Sequence, residues 1–169
     1  MKRIYHVAGY VKLAKLWEKK HSQAFTYHNE YYKQKYDNDD KMELVGVYID
    51  ITGNKHIYQR PEMIKLIIDC KNGKIDCIAA QTRGYLAPNL EEFCFMFSYL
   101  SEFNHEISII TEDNQYRINT VDNPEKQREE LMNMSKKYIS VKSEEYRRWK
   151  ERVEKAIAKT TVSKAKEAK

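Results

Sequence analysis

Short apolar runs alternating with helix-spaced apolar stripes constrain this chain more than any other feature of its sequence. Met42 to Asp50 carries Leu44, Val45, Val47 and Ile49 in a nearly continuous run, the pattern of a strand covered on both faces. Ile75 to Ala80 and Glu106 to Thr111 repeat it, and Ile4 to Ala14, with Val7, Tyr10, Val11 and Leu13, reads as the first strand. Helices lie between them. His21 to Tyr36 is a Tyr-rich helix that ends in the turn-like Asp37-Asn38-Asp39-Asp40. Pro61 suits a first helical turn, and Met63, Leu66, Ile67 and Cys70 recur at helical spacing until Asn72-Gly73 stops the helix. Pro88 opens another, striped by Leu90, Phe93, Cys94, Phe97 and Leu100. Such alternation implies an α/β fold with a mostly parallel sheet of four to five strands flanked by helices. Gln115 to Val121 is the candidate fifth strand, at an edge.

From Asn123 the pattern changes to long helix, Glu125 to Ser140 and then Ser143 to Thr160. In the last helix Tyr146, Trp149, Val153, Ala156 and Ile157 share one face. At about 1.5 Å per residue it runs roughly 27 Å, long enough to leave the domain body. The expected organisation is a body over residues 1–140, a long basic amphipathic helix over 141–160, and an Ala/Lys-rich disordered tail over 161–169.

Charge is placed unevenly. Lys and Arg number 30 against 25 Asp and Glu, a net +5. Val141 to Lys169 holds ten Lys/Arg against five Glu, an excess equal to the whole surplus. A cationic arm on a near-neutral body points to contact with DNA phosphates. No run approaches the roughly 18 apolar residues of a membrane span, and the N-terminus lacks a signal-peptide pattern, so a cytoplasmic protein without membrane partners is expected. Cys70, Cys77 and Cys94 lie in apolar stretches without close ligand spacing and read as buried reduced thiols. The histidines, His6, His21, His28, His56 and His105, show no metal-ligand spacing. Neither a metal nor a cofactor is expected. Tyr27, Tyr31 and Tyr32 read as half-buried core.

Several stretches, taken in order, resemble the catalytic domain of serine recombinases, the resolvase/invertase family, and especially the large kind found on mobile elements. Glu30-Tyr31-Tyr32 fits the family's first helix. Glu43-Leu44-Val45-Gly46-Val47-Tyr48-Ile49-Asp50 matches its second strand and the acidic residue opening a mobile loop. Arg60-Pro61 and Gly73-Lys74-Ile75-Asp76 match the helix and strand that follow. Glu144-Glu145-Tyr146-Arg147, with Val153, Lys155, Ile157 and Lys159, follows the start of the family's long C-terminal helix. The resemblance covers residues 3–160.

It implies phosphoryl transfer, in which a serine hydroxyl attacks a DNA phosphate while arginines stabilise the developing charge. A hydroxyl must form the covalent link, and fixed cations must stand where charge develops. Arginine suits this because its planar fork binds two phosphate oxygens and keeps its charge. The family's Tyr-x-Arg-x-Ser corresponds here to Tyr10-Val11-Lys12-Leu13-Ala14, so Ala14 stands where the nucleophile belongs and Lys12 where an arginine does. The Ser-Arg-x-x-Arg motif corresponds to Thr82-Arg83-Gly84-Tyr85-Leu86: Arg83 is kept and Leu86 replaces the second arginine. Asp50, Arg60 and Arg83 remain of the surrounding group, and His28 takes the place of the polar residue ending the helix-one motif. Tyr10 and Tyr85 are the alternative hydroxyls, although Tyr10 matches a family tyrosine that is not the nucleophile.

The resemblance thus implies a DNA-associated non-enzyme, a partner or regulator of recombination. Arg60 and Arg83 either hold a phosphate or pair with Asp50 and other carboxylates. For the C-terminal helix, one reading packs it on its own domain. The favoured one buries Tyr146, Trp149, Val153 and Ile157 against a second copy or an active serine recombinase. Arg147, Arg148, Arg152, Lys155 and Lys159 then face DNA phosphates. Because the sequence stops at Lys169, after the helix that in the family leads to a separate DNA-binding domain, this contact is expected to be weak, salt-sensitive and sequence-indifferent.

Overall fold

The protein is described by a computed structural model over residues 3–113, 117–122 and 124–167. Strand β1 spans Tyr5–Leu13, β2 Met42–Ile51, β3 Cys77–Ala80 and β4 Ser108–Thr111. They form one four-stranded sheet in the order β2-β1-β3-β4, every pairing parallel. Helix α1 spans His21–Tyr36, α2 Pro61–Lys71, α3 Arg83–Leu86, α4 Leu90–Ser101, α5 Pro124–Val141 and α6 Ser143–Glu167. Two 3-10 turns, Lys15–Lys20 and Ile57–Gln59, complete the order. Of the expected edge strand, residues 115–116 lie outside the described residues, and Asn119 makes a single antiparallel bridge to Ile110.

Alternation along β1 divides the core, because successive side chains point to opposite faces. Val7 and Val11 face α1 and pack with Tyr32, Tyr36, Met42 and Ile49. Ala8 and Tyr10 face the other side, where α2, α4 and α6 bury Ile64, Phe93, Phe97 and Trp149. Gly9 lets α1 approach the sheet closely: a Cβ there would stand 2.7 Å from the Tyr32 ring. An aromatic ring braced in a core cannot yield that distance cheaply. Tyr32 and half-buried Tyr31 fit the core expectation, whereas Tyr27 is 61% exposed because it sits on the solvent side of α1.

Local chemistry sets the helix ends. Pro61 occupies the first turn of α2, where a missing N–H costs nothing. Gly73, at φ +82°, takes the left-handed position after α2, while Asn72 N–H donates to the Ile68 carbonyl and Lys74 N–H to that of Asp69. Asn89 caps α4 by accepting from the Glu92 N–H at 2.8 Å. Pro88 therefore precedes the helix and does not open it. α4 is buried nearly all round, from Phe93 to Leu100, because α2, α5 and α6 pack against it.

The last helix departs from expectation in two ways. It continues through residues 161–167, where a disordered tail was expected, because Ala, Lys and Glu favour helix. Its apolar stripe also packs on its own domain. Trp149 is 5% exposed and Val153 fully buried; the Trp149 ring lies 6.0 Å from those of both Phe95 and Tyr99. Cys70, Cys77 and Cys94 are buried free thiols, each pushed up by desolvation. Among the described residues no helix is long and apolar enough to cross a membrane.

Candidate functional site

In an open parallel sheet the strand carboxyl ends form the natural site, since the loops leaving them are free to carry function. Here β1 delivers Lys12 and Ala14, β2 delivers Asp50 and Thr52, and β3 leads through Thr82 into α3 with Arg83. Parallel register sets Lys12 opposite Asp50 and Leu13 opposite Ile51. Ala14 follows β1 directly in extended backbone, at φ −65° and ψ 153°, and is exposed.

Asp50 is buried and saturated. One oxygen accepts from the Glu62 N–H at 2.9 Å; the other accepts from the Met63 N–H at 2.9 Å and from the Tyr10 hydroxyl at 2.8 Å. The carboxylate therefore caps α2 from a neighbouring strand, favourable at a helix N-terminus, where orphan N–H groups and the dipole attract negative charge. Burial, and then the Asp50 charge, push the Tyr10 phenol far above its ordinary value. Tyr10 is thus a buried donor committed to Asp50, ill suited to attack a phosphate.

Arg60 is the most enclosed of the cationic groups, at 1% exposure. Its Nη1 donates to the carbonyls of Tyr85 and Leu86 at 2.7 and 3.2 Å, and its Nη2 to that of Lys55 at 2.5 Å. The guanidinium thereby ties the 52–60 loop to α3. Nη1 and Nη2 are thus held by backbone carbonyls and not by Asp50, while the buried Nε has no hydrogen-bond partner among the described residues.

Lys12 stands beside this pair. Its Nζ is 3.4 Å from the Thr52 carbonyl, and its pKa is lowered, first by burial and then by Arg60, with Asp50 opposing. Arg83 is oriented otherwise. Its N–H donates to Asp113 at 2.7 Å, its guanidinium lies 5.9 Å from the centroid of the Phe93 ring, and it lines a groove against α5. Lys12, Asp50, Arg60 and Tyr10 thus form one cluster, while Arg83 faces another. Leu86 is fully buried.

Two residues that shape this edge were missed from sequence. Glu92, buried within α4, accepts from the Ile57 N–H at 2.7 Å and pairs with His56 Nδ1 at 2.7 Å. It pins the loop that carries Arg60; its only sequence signal was an acid inside an apolar stripe. Lys55 contributes its carbonyl, which no side-chain pattern reveals.

On α6, Arg148, Arg152, Lys155 and Lys159 are all exposed. Steps of four, three and four place them on one stripe, over about 16 Å of axis. Arg152 donates to the Tyr58 hydroxyl at 3.0 Å and stacks over its ring. Arg147 lies off this stripe and is bridged to Glu144 and Glu151 at 2.9 and 2.6 Å, so its charge is offset within the helix. Tyr146 and Ile157 are half-buried against the chain's own core.

No protein-family model matches the chain, and no curated protein matches it significantly. Solved structures do. The N-terminal catalytic domain of TP901-1 integrase aligns with a TM-score of 0.59 at 16% identity, covering 82% of this chain and 97% of that one. The C-terminal catalytic domain of ISC1926 TnpA, an IS607-like serine recombinase, aligns at 0.48 and 16% identity, over 64% and 72% of the two chains. A resolvase family site-specific recombinase from Streptococcus pneumoniae aligns at 0.48 and 13%, over 86% and 99%. The chain has the fold of serine recombinase catalytic domains, a parallel sheet flanked by helices and followed by a long C-terminal helix.

Proposed function

We propose that this chain acts in site-specific DNA recombination as a partner or regulator that does not itself cut DNA. The observation that carries the reading is the state of the sheet's carboxyl edge. Ala14 occupies the end of β1 without a hydroxyl, and the adjoining Arg60 and Asp50 are spent on backbone groups. Losing a nucleophile alone costs on the order of a millionfold, and an arginine at a transferring phosphoryl group is worth roughly a thousandfold or more. Of the other hydroxyls near this edge, that of Tyr10 donates to Asp50, and those of Thr52 and Thr82 accept backbone N–H groups.

DNA contact in this reading falls to the α6 stripe of Arg148, Arg152, Lys155 and Lys159, with Arg147 and Arg83 as lesser contributors. Such contact is made to phosphates, so it positions without specifying sequence. Pairing with a second copy or with an active serine recombinase uses exposed surface, since Trp149 and Val153 are occupied within the chain.

The test combines two assays on the purified protein and its Ala14→Ser variant. Duplex DNA is titrated across a salt series, and the same mixtures are examined for covalent protein–DNA adducts. Salt-sensitive binding with no adduct from either protein is the expected result. An adduct from the unaltered chain overturns the reading in favour of an active recombinase. Absence of binding both to DNA and to a co-expressed recombinase overturns it in favour of an inert remnant.

A further inference from the structure

Away from the edge described above, a groove of about 520 Å3 runs between the start of α4, α5 and the 117–118 segment. Its floor and walls are apolar: Phe93, fully buried, with Leu131, Met134 and the partly exposed Leu90. Two cations stand on its lining, Arg83 from α3 and Arg117 from the segment after β4. Glu130 is the one acidic side chain among the lining residues, which leaves the groove cationic by one charge.

Arg83 is the informative member. Its guanidinium lies over Phe93, yet Nη1 is buried and has no hydrogen-bond partner among the described residues. A guanidinium N–H removed from water and left unbonded is costly, so native proteins keep few of them. The backbone of Arg83 is held in place by Asp113, at 2.7 Å, so the side chain leaves a fixed anchor. Sites for small molecules combine this volume range, mostly apolar walls and a few placed polar groups. Met134 adds a flexible wall able to follow an irregular ligand.

We infer that this groove binds a small amphipathic anion, an apolar chain or ring system carrying one carboxylate, sulfonate or phosphate. The apolar body lies along Leu90, Leu131 and Met134, above the buried Phe93, and the anionic head takes the free N–H of Arg83 together with Arg117. One net positive charge matches one negative head, and the apolar walls discriminate against free inorganic anions. The ligand is therefore set apart from DNA, which offers phosphates but no apolar tail.

The full chain is titrated with 1-anilinonaphthalene-8-sulfonate by fluorescence, and bound dye is then displaced with octanoate or with its uncharged counterpart, 1-octanol. Octanoate is expected to displace at lower concentration than octanol. Arg83→Gln and Arg117→Gln are each expected to weaken dye binding about tenfold, the cost of one charge-assisted hydrogen bond. Met134→Glu is expected to abolish binding, and Lys71→Gln, on exposed α2 surface, to leave it unchanged. Arg117 is exposed, so its variant keeps the test open even if Arg83→Gln disturbs folding. Affinity in both arginine variants equal to that of the unaltered chain, displacement by octanol ahead of octanoate, or undiminished binding by Met134→Glu overturns the inference. So does dye binding that occurs only in samples whose near-ultraviolet circular dichroism has been lost.

Discussion

Replacing Trp149 with Ala separates two readings of α6, a packed element of the domain and an arm waiting for a partner. Trp149 is 5% exposed, and its ring centroid lies 6.0, 6.0 and 6.2 Å from those of Phe95, Tyr99 and Tyr146. Truncating such a residue in a core costs about 3–5 kcal/mol, since transfer energy is lost and a cavity remains. With a urea slope of about 2 kcal/mol per molar, the unfolding midpoint falls by roughly 1.5–2.5 M. Domain stabilities are typically about 5–15 kcal/mol, so a loss of this size is a large fraction of the whole and easily read. Trp149→Phe is the informative companion. The indole Nε1 is buried and has no hydrogen-bond partner among the described residues, so removing it costs less than about 1 kcal/mol beyond the small loss of volume. Urea unfolding followed by far-ultraviolet circular dichroism reads both variants, and sedimentation velocity reports their association. A midpoint that moves by less than about 0.5 M in Trp149→Ala, together with a fall in sedimentation coefficient, refutes the packed reading and restores Trp149 to an interface.

Three further outcomes are expected. Asp50→Ala strands the Tyr10 hydroxyl and two N–H groups of α2, costing about 2–4 kcal/mol in urea unfolding; a loss within 0.5 kcal/mol, roughly the noise of surface substitutions, contradicts the capping role. Burial lowers the pKa of His28, so the folded state favours the neutral ring and the unfolded chain binds more protons below about pH 6.5. That stability is present above this pH and is lost as pH falls, so His28→Gln should narrow the difference between urea midpoints at pH 7.5 and 5.5, and equal differences refute it. Replacing Arg148 and Lys155 with Gln should reduce the slope of log affinity for duplex DNA against log salt by about 1.8, at about 0.9 per phosphate contact. An unchanged slope removes the α6 stripe from the DNA interface.

Much of the architecture was legible because it follows from local periodicity. The apolar run at Ile75 to Ala80 announced a strand covered on both faces, whereas the run at Met42 to Asp50 forms a strand at the sheet edge with Val45 46% exposed; His21 to Tyr36 ended where its aspartates begin. Gly73 marked the end of α2 because few other residues adopt its left-handed backbone. That Ala14 directly follows β1 was equally readable, since the end of a strand is a local address. What the pattern did not carry is which surface covers an apolar stripe and which group meets a charge. Tyr146, Trp149, Val153 and Ile157 advertise one buried face, but periodicity is the same whether Phe95 and Tyr99 of the same chain or another molecule lies against it. Asp50 closing on α2, Arg60 on the carbonyls of Lys55, Tyr85 and Leu86, Glu92 on the 56–57 turn, and Arg83 turning to Phe93 are contacts made across the fold. A side chain's identity sets its charge and reach, whereas its partner, and hence its chemistry, is set by what the packed elements bring within about 3 Å.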